Sequence, residues 1–250
     1  MKIVVDAGHG GFDNGARFEG RREKDDTLAL ALAVGKILKD NGVDVVYTRT
    51  EDVYQTPYEK AMIANDANAD YFISLHRNAM PVPGTGSGLE TLVYEDSGVP
   101  AIMGRNINEE LENLGFNNLG ISVRPNIVVL RRTEMPAVLV EAGFIDNPAD
   151  NKLFDENFDA IAQGIADGIL SSVTAAEEEM LYRVNVGVYE NKQYAQKLLD
   201  KLISQGFPAF LNYNHGYYFV QVGAYENLSN AIAMEQRLRN AGYSTYIATE

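Results

Sequence analysis

Short apolar runs alternate with amphipathic stretches through residues 1–172, and that rhythm sets the expected architecture. Runs at 3–6, 44–48, 71–75, 89–94, 127–130 and 137–140 predict strands. Between them, apolar residues three and four apart predict helices over 27–39, 58–67, about 98–114 and about 158–170. Mostly apolar strands separated by amphipathic helices imply an α/β fold, with a mostly parallel sheet covered by helices on both faces. Ligands of such sheets sit beyond the carboxyl ends of the strands.

The pattern changes after residue 172. Residues 173–179 read Val-Thr-Ala-Ala-Glu-Glu-Glu, small and then acidic, and predict a solvated linker or a frayed helix end. Residues 180–250 contain an internal repeat. Val184-Asn185-Val186-Gly187-Val188-Tyr189-Glu190-Asn191 is echoed 36 positions later by Val220-Gln221-Val222-Gly223-Ala224-Tyr225-Glu226-Asn227. The register holds through Ala195 and Ala231, Leu198 and Met234, Leu202 and Leu238, Gly206 and Gly242, and Phe207 and Tyr243. Each copy reads as strand, helix, Gly-aromatic turn and strand. Two βαβ halves sharing one core predict a small split-βαβ domain, a four-stranded sheet with two helices on one face.

Charge sharpens this division. Residues 1–179 carry 15 Lys and Arg against 30 Asp and Glu, whereas residues 180–250 carry 6 against 5. The acidic balance disfavours a nucleic-acid partner, which needs a basic footprint. No apolar run is long enough to span a bilayer. Met1-Lys2 leads at once into a short apolar run and Asp6, which does not resemble a signal peptide. The sequence contains no cysteine, so disulfides and thiolates are excluded and a tight metal site must draw on His and carboxylates.

Three polar residues fall at the expected strand ends. His9 follows the first strand in Asp6-Ala7-Gly8-His9-Gly10-Gly11, and His76 follows the third in Ser74-Leu75-His76-Arg77-Asn78-Ala79. Glu141 closes the last in Val138-Leu139-Val140-Glu141-Ala142-Gly143. A single strand-end histidine is usually structural. The pair is stronger evidence, because only three histidines exist and glycines around His9 let its loop approach a ligand. Hydrolytic zinc commonly takes two His and one carboxylate, leaving a position for water. Glu23, just before the first long helix, can supply that carboxylate or simply favour the positive end of the helix dipole. Glu141, ending an apolar strand, is expected to be partly buried with a raised pKa, suited to passing a proton from water to a leaving amine. The structural alternative is a buried Glu paired with Arg131 or Arg132.

Taken in order, Asp6-Ala7-Gly8-His9-Gly10-Gly11, Glu23-Lys24-Asp25, Ser74–Ala79 and Val140-Glu141-Ala142-Gly143-Phe144-Ile145-Asp146-Asn147 resemble the zinc-dependent N-acetylmuramoyl-L-alanine amidases of the type-3 class. The resemblance covers about residues 1–172. It implies Zn2+ held by His9, Glu23 and His76, with Glu141 as the essential glutamate. The implied reaction is hydrolysis of the amide joining N-acetylmuramic acid to L-alanine in peptidoglycan. Asn78 and Glu90 match positions near the site. Arg77 departs from the pattern, which commonly has a small residue there, and raises the expectation of altered substrate contacts.

Residues 180–250 resemble a SPOR domain, a septal peptidoglycan-binding module. The resemblance implies that the open sheet face recognises glycan stripped of stem peptides, with Gln221 and Asn185 as candidate contacts if they point outward. Tyr217, Tyr218, Tyr225 and Tyr246 can stack on sugars or build the core. His215 is expected in the turn joining the two halves. The combined expectation is an enzyme acting at the cell wall, reached by lysis or another route than a recognisable leader. A mother-cell wall hydrolase of sporulation and a phage lysin both fit. The rival readings are a zinc peptidase of related fold and a non-enzymatic peptidoglycan-binding regulator.

Overall fold

The computed structural model describes residues 1–179, 181–214, 216–225 and 227–249, with side chains of 175–179 left aside. His215, expected in a turn, lies outside the described residues. The chain divides into two compact units, Met1–Thr174 and Ala175–Glu250. Among the described residues no helix is long and apolar enough to cross a membrane.

The first unit is built from β1 (Lys2–Ala7), β2 (Arg17–Phe18), β3 (Arg21–Arg22), α1 (Glu23–Asp40), β4 (Asp44–Tyr47), α2 (Pro57–Asp66), β5 (Tyr71–Asn78), β6 (Leu89–Val93), α3 (Gly98–Glu112), β7 (Asn118–Val123), α4 (Val128–Arg132), β8 (Ala137–Phe144), α5 (Pro148–Glu156) and α6 (Phe158–Glu179). Six strands form one sheet in the order β4-β1-β5-β8-β6-β7. β4, β1, β5 and β8 run parallel, and β6 pairs antiparallel with β8. Both faces are covered, as expected. Ile3, Val5, Ile73, Leu75, Val138 and Val140 face a core completed by α1, α3 and α6. Val4, Phe72 and Leu139 face a smaller one completed by Ala64 of α2 and by Val129 and Leu130 of α4. Neighbouring strand residues enter opposite cores, which is why the strands read as continuous apolar runs rather than alternating ones.

Several local elements differ from the expectation or go beyond it. Residues 127–130, expected as a strand, lead into the short helix α4, because a brief apolar run cannot distinguish a buried strand from a helix and here packing against α2 decides. β7 and α5 were not expected at all. β7 is partly exposed and contains Gly120, so its apolar signal is weak. α5 announces itself only by caps, with the Asn147 side chain accepting from Ala149 and Asp150 N–H groups and Pro148 at its first turn. Of the two forms expected for residues 173–179, a solvated linker or a helix end, the helical one is present. These residues continue α6, because their Ala and Glu residues are good helix formers and no Gly or Pro falls among 173–179, and Val173 is buried in the first unit's core.

In the second unit β9 (Tyr182–Tyr189), α7 (Lys192–Ser204), β10 (Phe210–Asn214), β11 (Tyr217–Tyr225), α8 (Leu228–Asn240) and β12 (Tyr246–Thr249) form the expected split-βαβ arrangement. The sheet order is β10-β11-β9-β12, with antiparallel neighbours. The repeat offset maps α7 onto α8 without a gap, and the repeat-equivalent Phe207 and Tyr243 rings meet edge to face at 6.2 Å. Val184, Val220 and Val222 pack on Ala195 and Leu202 of α7 and on Ala231 and Leu238 of α8.

Candidate metal centre

The loop after β1 is held so that His9 projects over the sheet edge. His9 itself is left-handed, at φ 59°, an unusual conformation for a residue with a side chain and one that recurs at functional sites. The loop's carbonyls are gathered by two buried cations and a hydroxyl. Arg49 donates to Ala7 O and Gly8 O at 3.1 and 2.9 Å, Thr27 Oγ1 donates to Gly8 O at 2.7 Å, and Lys60 Nζ donates to Ala7 O. Lys60 is paired with Asp6 at 2.8 Å, and Asp6 also accepts from Thr48 and Ser74. The space between the site's side chains is sparse enough to demand glycine. A Cβ at Gly8 would lie 2.5 Å from the His76 ring, and one at Gly15 would run into Glu23 and His9.

Glu23 is the first residue of α1 and is almost wholly buried, at 4% exposure. Its Oε2 lies 3.0 Å from His9 Nε2 and its Oε1 lies 2.8 Å from His76 Nδ1. Backbone N–H groups hold the carboxylate in place. Ala16 donates to Oε2 at 2.8 Å and Arg77 to Oε1 at 3.1 Å. The ligand atoms of His9, Glu23 and His76 all lie within 4.8 Å of one another. Two imidazoles and one carboxylate converging in this way form a donor set that can hold a divalent metal, with no thiolate required. Behind His9, Asp13 Oδ2 accepts from Nδ1 at 2.8 Å, the carboxylate support that fixes an imidazole's tautomer and leaves Nε2 for the metal.

The electrostatics without metal follow from this crowding. Burial alone would lower the His9 pKa, but the Glu23 and Asp13 carboxylates outweigh it and raise it from 6.5 to about 9. Burial would raise Glu23, yet the two imidazoles hold it well below the usual carboxylate range. Glu141 shows the opposite balance. Burial lifts its carboxyl from 4.5 to about 7; His76 pulls it down, whereas Glu23 and Glu90 push it up. Its Oε2 is enclosed and has no hydrogen-bond partner among the described residues. The alternative pairing with Arg131 or Arg132 does not occur, because Arg131 lines a cavity with Ala137 at the other end of β8.

Strand register brings the remaining groups together. His76 is the Cα partner of Glu141 across β5 and β8, and Glu90 is its partner across β8 and β6. Asn78 Nδ2 donates to Glu90 Oε1 at 2.9 Å, and Ser122 Oγ donates to Oε2 at 2.7 Å. Arg77 belongs elsewhere. Its side chain is fully buried on the other face of β5 from His76, 2.8 Å from Asp26, 2.7 Å from Asn151 Oδ1 and 4.0 Å from the Phe154 ring centre. The expected substrate contact is therefore corrected, since alternation along the strand turns residue 77 into the core. Asp13 and Ser122 were missed. Asp13 carried a usable signal four residues after His9, whereas Ser122 depends on the unforeseen β7.

In the second unit Asn185 and Gln221 occupy the helix-free face as cross-strand partners, but they are enclosed, at 3% and 1% exposure. They line a narrow cavity of about 90 Å3 with Asn212, Asn214, Phe219 and Tyr246. Their strand faces point away from the helices, but neighbouring side chains close over both amides, so they lie at the floor of the cavity. Tyr218 and Tyr225 pack against the core, while Tyr217 and Tyr246 are exposed.

Comparison with known proteins agrees with both units. Residues 3–171 match the N-acetylmuramoyl-L-alanine amidase family, Amidase_3, and residues 178–249 match the SPOR domain. The chain is 37% identical over 220 residues to the N-acetylmuramoyl-L-alanine amidase CwlM of Bacillus licheniformis, covering 85% of each. It is 35% identical over 219 residues to the sporulation-specific N-acetylmuramoyl-L-alanine amidase of Bacillus subtilis, covering 84% of each. The catalytic domain of CwlV, an amidase from Bacillus (Paenibacillus) polymyxa, superposes with a TM-score of 0.64 at 34% identity, over 69% of this chain and 98% of that one. The chain thus belongs to the N-acetylmuramoyl-L-alanine amidase family Amidase_3, joined to a SPOR domain.

Proposed function

We propose that this amidase cleaves the bond between N-acetylmuramic acid and L-alanine with a zinc ion held by His9, Glu23 and His76 and with Glu141 as the proton carrier. Peptidoglycan amide hydrolysis is the activity of the family to which the chain belongs. A donor set of two histidines and one carboxylate suits zinc, which when bound supplies a Lewis acid for the carbonyl and a lowered pKa for water. The observation that carries Glu141's role is its enclosed, unpartnered Oε2 directly across from His76. A carboxylate poised near neutral pH takes a proton from the attacking water and returns it to the departing amide nitrogen, so the leaving group departs as a neutral amine. Glu90, fixed by Asn78 and Ser122, places a carboxylate beside Glu141 that raises its basicity. Asp13 orients His9.

Zinc content of the purified chain, with and without His76→Ala, tests the metal. Mass spectrometry of digested peptidoglycan tests the bond, because this cleavage alone leaves a new L-alanine amino terminus. A product cut within the stem peptide would favour the zinc peptidase reading, and bound wall without products would favour the regulator.

The second unit is assigned to retention on the wall, through glycan stripped of stem peptides at the helix-free face around Asn185, Gln221 and Tyr246. The acidic first unit gains little from the anionic polymers of a wall, so a separate, nearly neutral module supplies affinity that the catalytic unit lacks. Removing residues 180–250 should weaken binding to intact wall more than cleavage of soluble muropeptide, and equal losses would reject the division of labour. The sporulation role carried by the Bacillus subtilis relative's name extends to this chain within the same proposal.

A further inference from the structure

Beside the metal centre two aromatic rings face solvent for no reason that folding supplies. Phe12 is 77% exposed, and Tyr54, at 39%, stacks on it with ring centres 4.0 Å apart and planes inclined by 32°. Both sit on stiff supports. Phe12 is at the tip of a two-residue turn closed by reciprocal hydrogen bonds between Gly10 and Asp13, at 3.0 and 3.1 Å. Gly11, at φ 59°, packs so close to the other strip of chain that a Cβ would lie 2.7 Å from Tyr54 N. A clamp ties the two together: Asp52 accepts from Gly11 N at 2.8 Å and from Lys24 Nζ at 2.6 Å, while Lys24 Nζ also donates to Gly11 O at 2.7 Å. Lys24 is buried and follows Glu23 directly.

We propose that Phe12 and Tyr54 form a platform on which a sugar ring of the glycan strand stacks while its neighbour presents the scissile amide to the metal centre. The proposal rests on the amidase reading above. Continuity carries it: Asp13 and Gln55, the chain neighbours of Phe12 and Tyr54, line the same cavity of about 180 Å3 as His9 and His76. The chemistry selects the occupant. The C–H faces of a pyranose are flat and apolar and complement the negative faces of aromatic rings, at little entropic cost when the rings are already fixed. The carboxylates of a stem peptide are a poorer match, since residues 1–179 carry twice as many acidic as basic side chains.

The test compares the full chain and Phe12→Ala on two substrates, N-acetylmuramoyl-peptide and a tetrasaccharide bearing the same peptide. The wild type should show the lower KM on the tetrasaccharide. Phe12→Ala should shrink that advantage by roughly 2- to 10-fold, the range of an aromatic contact, and Phe12→Trp should keep it. An advantage unchanged in Phe12→Ala, or a loss that follows stem-peptide length instead of glycan length, overturns the platform. Ring-selective NMR separates this from the amidase reading, because Phe12 and Tyr54 signals should shift on adding the tetrasaccharide to Glu141→Gln. Silent rings in an enzyme that cleaves refute stacking alone, whereas shifting rings with no cleavage by the wild type refute the amidase reading alone.

Discussion

Glu90 stands directly opposite Glu141 across the antiparallel pair of β6 and β8, while His76 stands opposite Glu141 on the other side. Two carboxylates thus share one sheet edge with the His76 imidazole. Their environments differ: Glu90 accepts hydrogen bonds from Asn78 and Ser122, and Glu141 Oε2 accepts none among the described residues. Burial and the neighbouring Glu90 carboxylate together raise the Glu141 pKa, the kind of difference in environment that separates the two members of an acid–base pair.

Glu141→Gln should retain metal and lose roughly 100- to 10,000-fold in turnover, the usual range for a general acid–base group. Product release on soluble muropeptide, measured beside metal content, checks it. Near-normal turnover would remove Glu141 from the chemistry.

Glu90→Gln should move the acid limb of the kcat/KM profile to lower pH. The sign follows from the charges facing Glu141. Glu23 and Glu90 raise its pKa and His76 and His9 lower it, so deleting one negative neighbour lowers the pKa and extends the proton-accepting form to more acidic solution. An acid limb that stays put or moves upward contradicts the coupling.

Metal binding should release protons. In the metal-free chain His9 is protonated through neutral pH, with a pKa raised to about 9, and an imidazolium cannot ligate. Titration calorimetry at about pH 7.5 in buffers of different ionisation enthalpy should report release of about one proton per metal bound. Asp13→Asn, which removes the support behind Nδ1, should weaken metal affinity roughly 10- to 100-fold. Binding without proton release would mean that His9 gives up no proton to ligate the metal.

Asp6 and Lys60 form a buried pair beneath the His9 loop, and Asp6→Asn should cost about 3–5 kcal/mol by leaving the ammonium uncompensated. Burial by itself would raise the Asp6 carboxyl, but Lys60, Ser74 and Thr48 together hold it below the ordinary 3.8. A depressed folded-state pKa contributes stability above the unfolded value, and that contribution is lost as pH falls through the folded one. Urea unfolding from about pH 6 downward should therefore show wild type and Asp6→Asn converging in acid. A constant gap would contradict the pairing.

Arg77→Ala should destabilise the first unit by about 3 kcal/mol, since Asn151 and the Phe154 face lose their partner while Asp26 keeps Arg21. Its KM for muropeptide should match that of the wild type. A selective rise in KM would restore the substrate contact expected at the sequence level.

Much of this protein is legible in its sequence. The 36-residue echo alone predicted which residues of the second unit share a core, because a duplicated strand–helix–strand pattern leaves each copy's apolar side no other partner. His9, His76 and Glu141 announced themselves as polar residues closing apolar runs, although β5 and β8 continue past His76 and Glu141 to Asn78 and Phe144. Local pattern carries that information, since side-chain periodicity reports burial residue by residue.

Tertiary structure decided what depends on neighbours distant in sequence. That Glu23 reaches both histidines follows from the packing of α1's first turn under two loops, whereas the sequence physics left it divided between ligand and helix-dipole partner. The antiparallel insertion of β6 set Glu90 against Glu141, and the register of β5 sent Arg77 into the core while its neighbour His76 faced Glu23. The apolar run at 127–130 became a helix because α2 needed a packing partner over Phe72 and Leu139. Strand order, strand direction and which of two faces a side chain occupies are non-local quantities, and a one-residue change of register reverses the last of them. Most residues of the candidate site were therefore legible in the sequence, whereas the place of Ser122 beside Glu90 and of Arg77 in the core was made by the sheet.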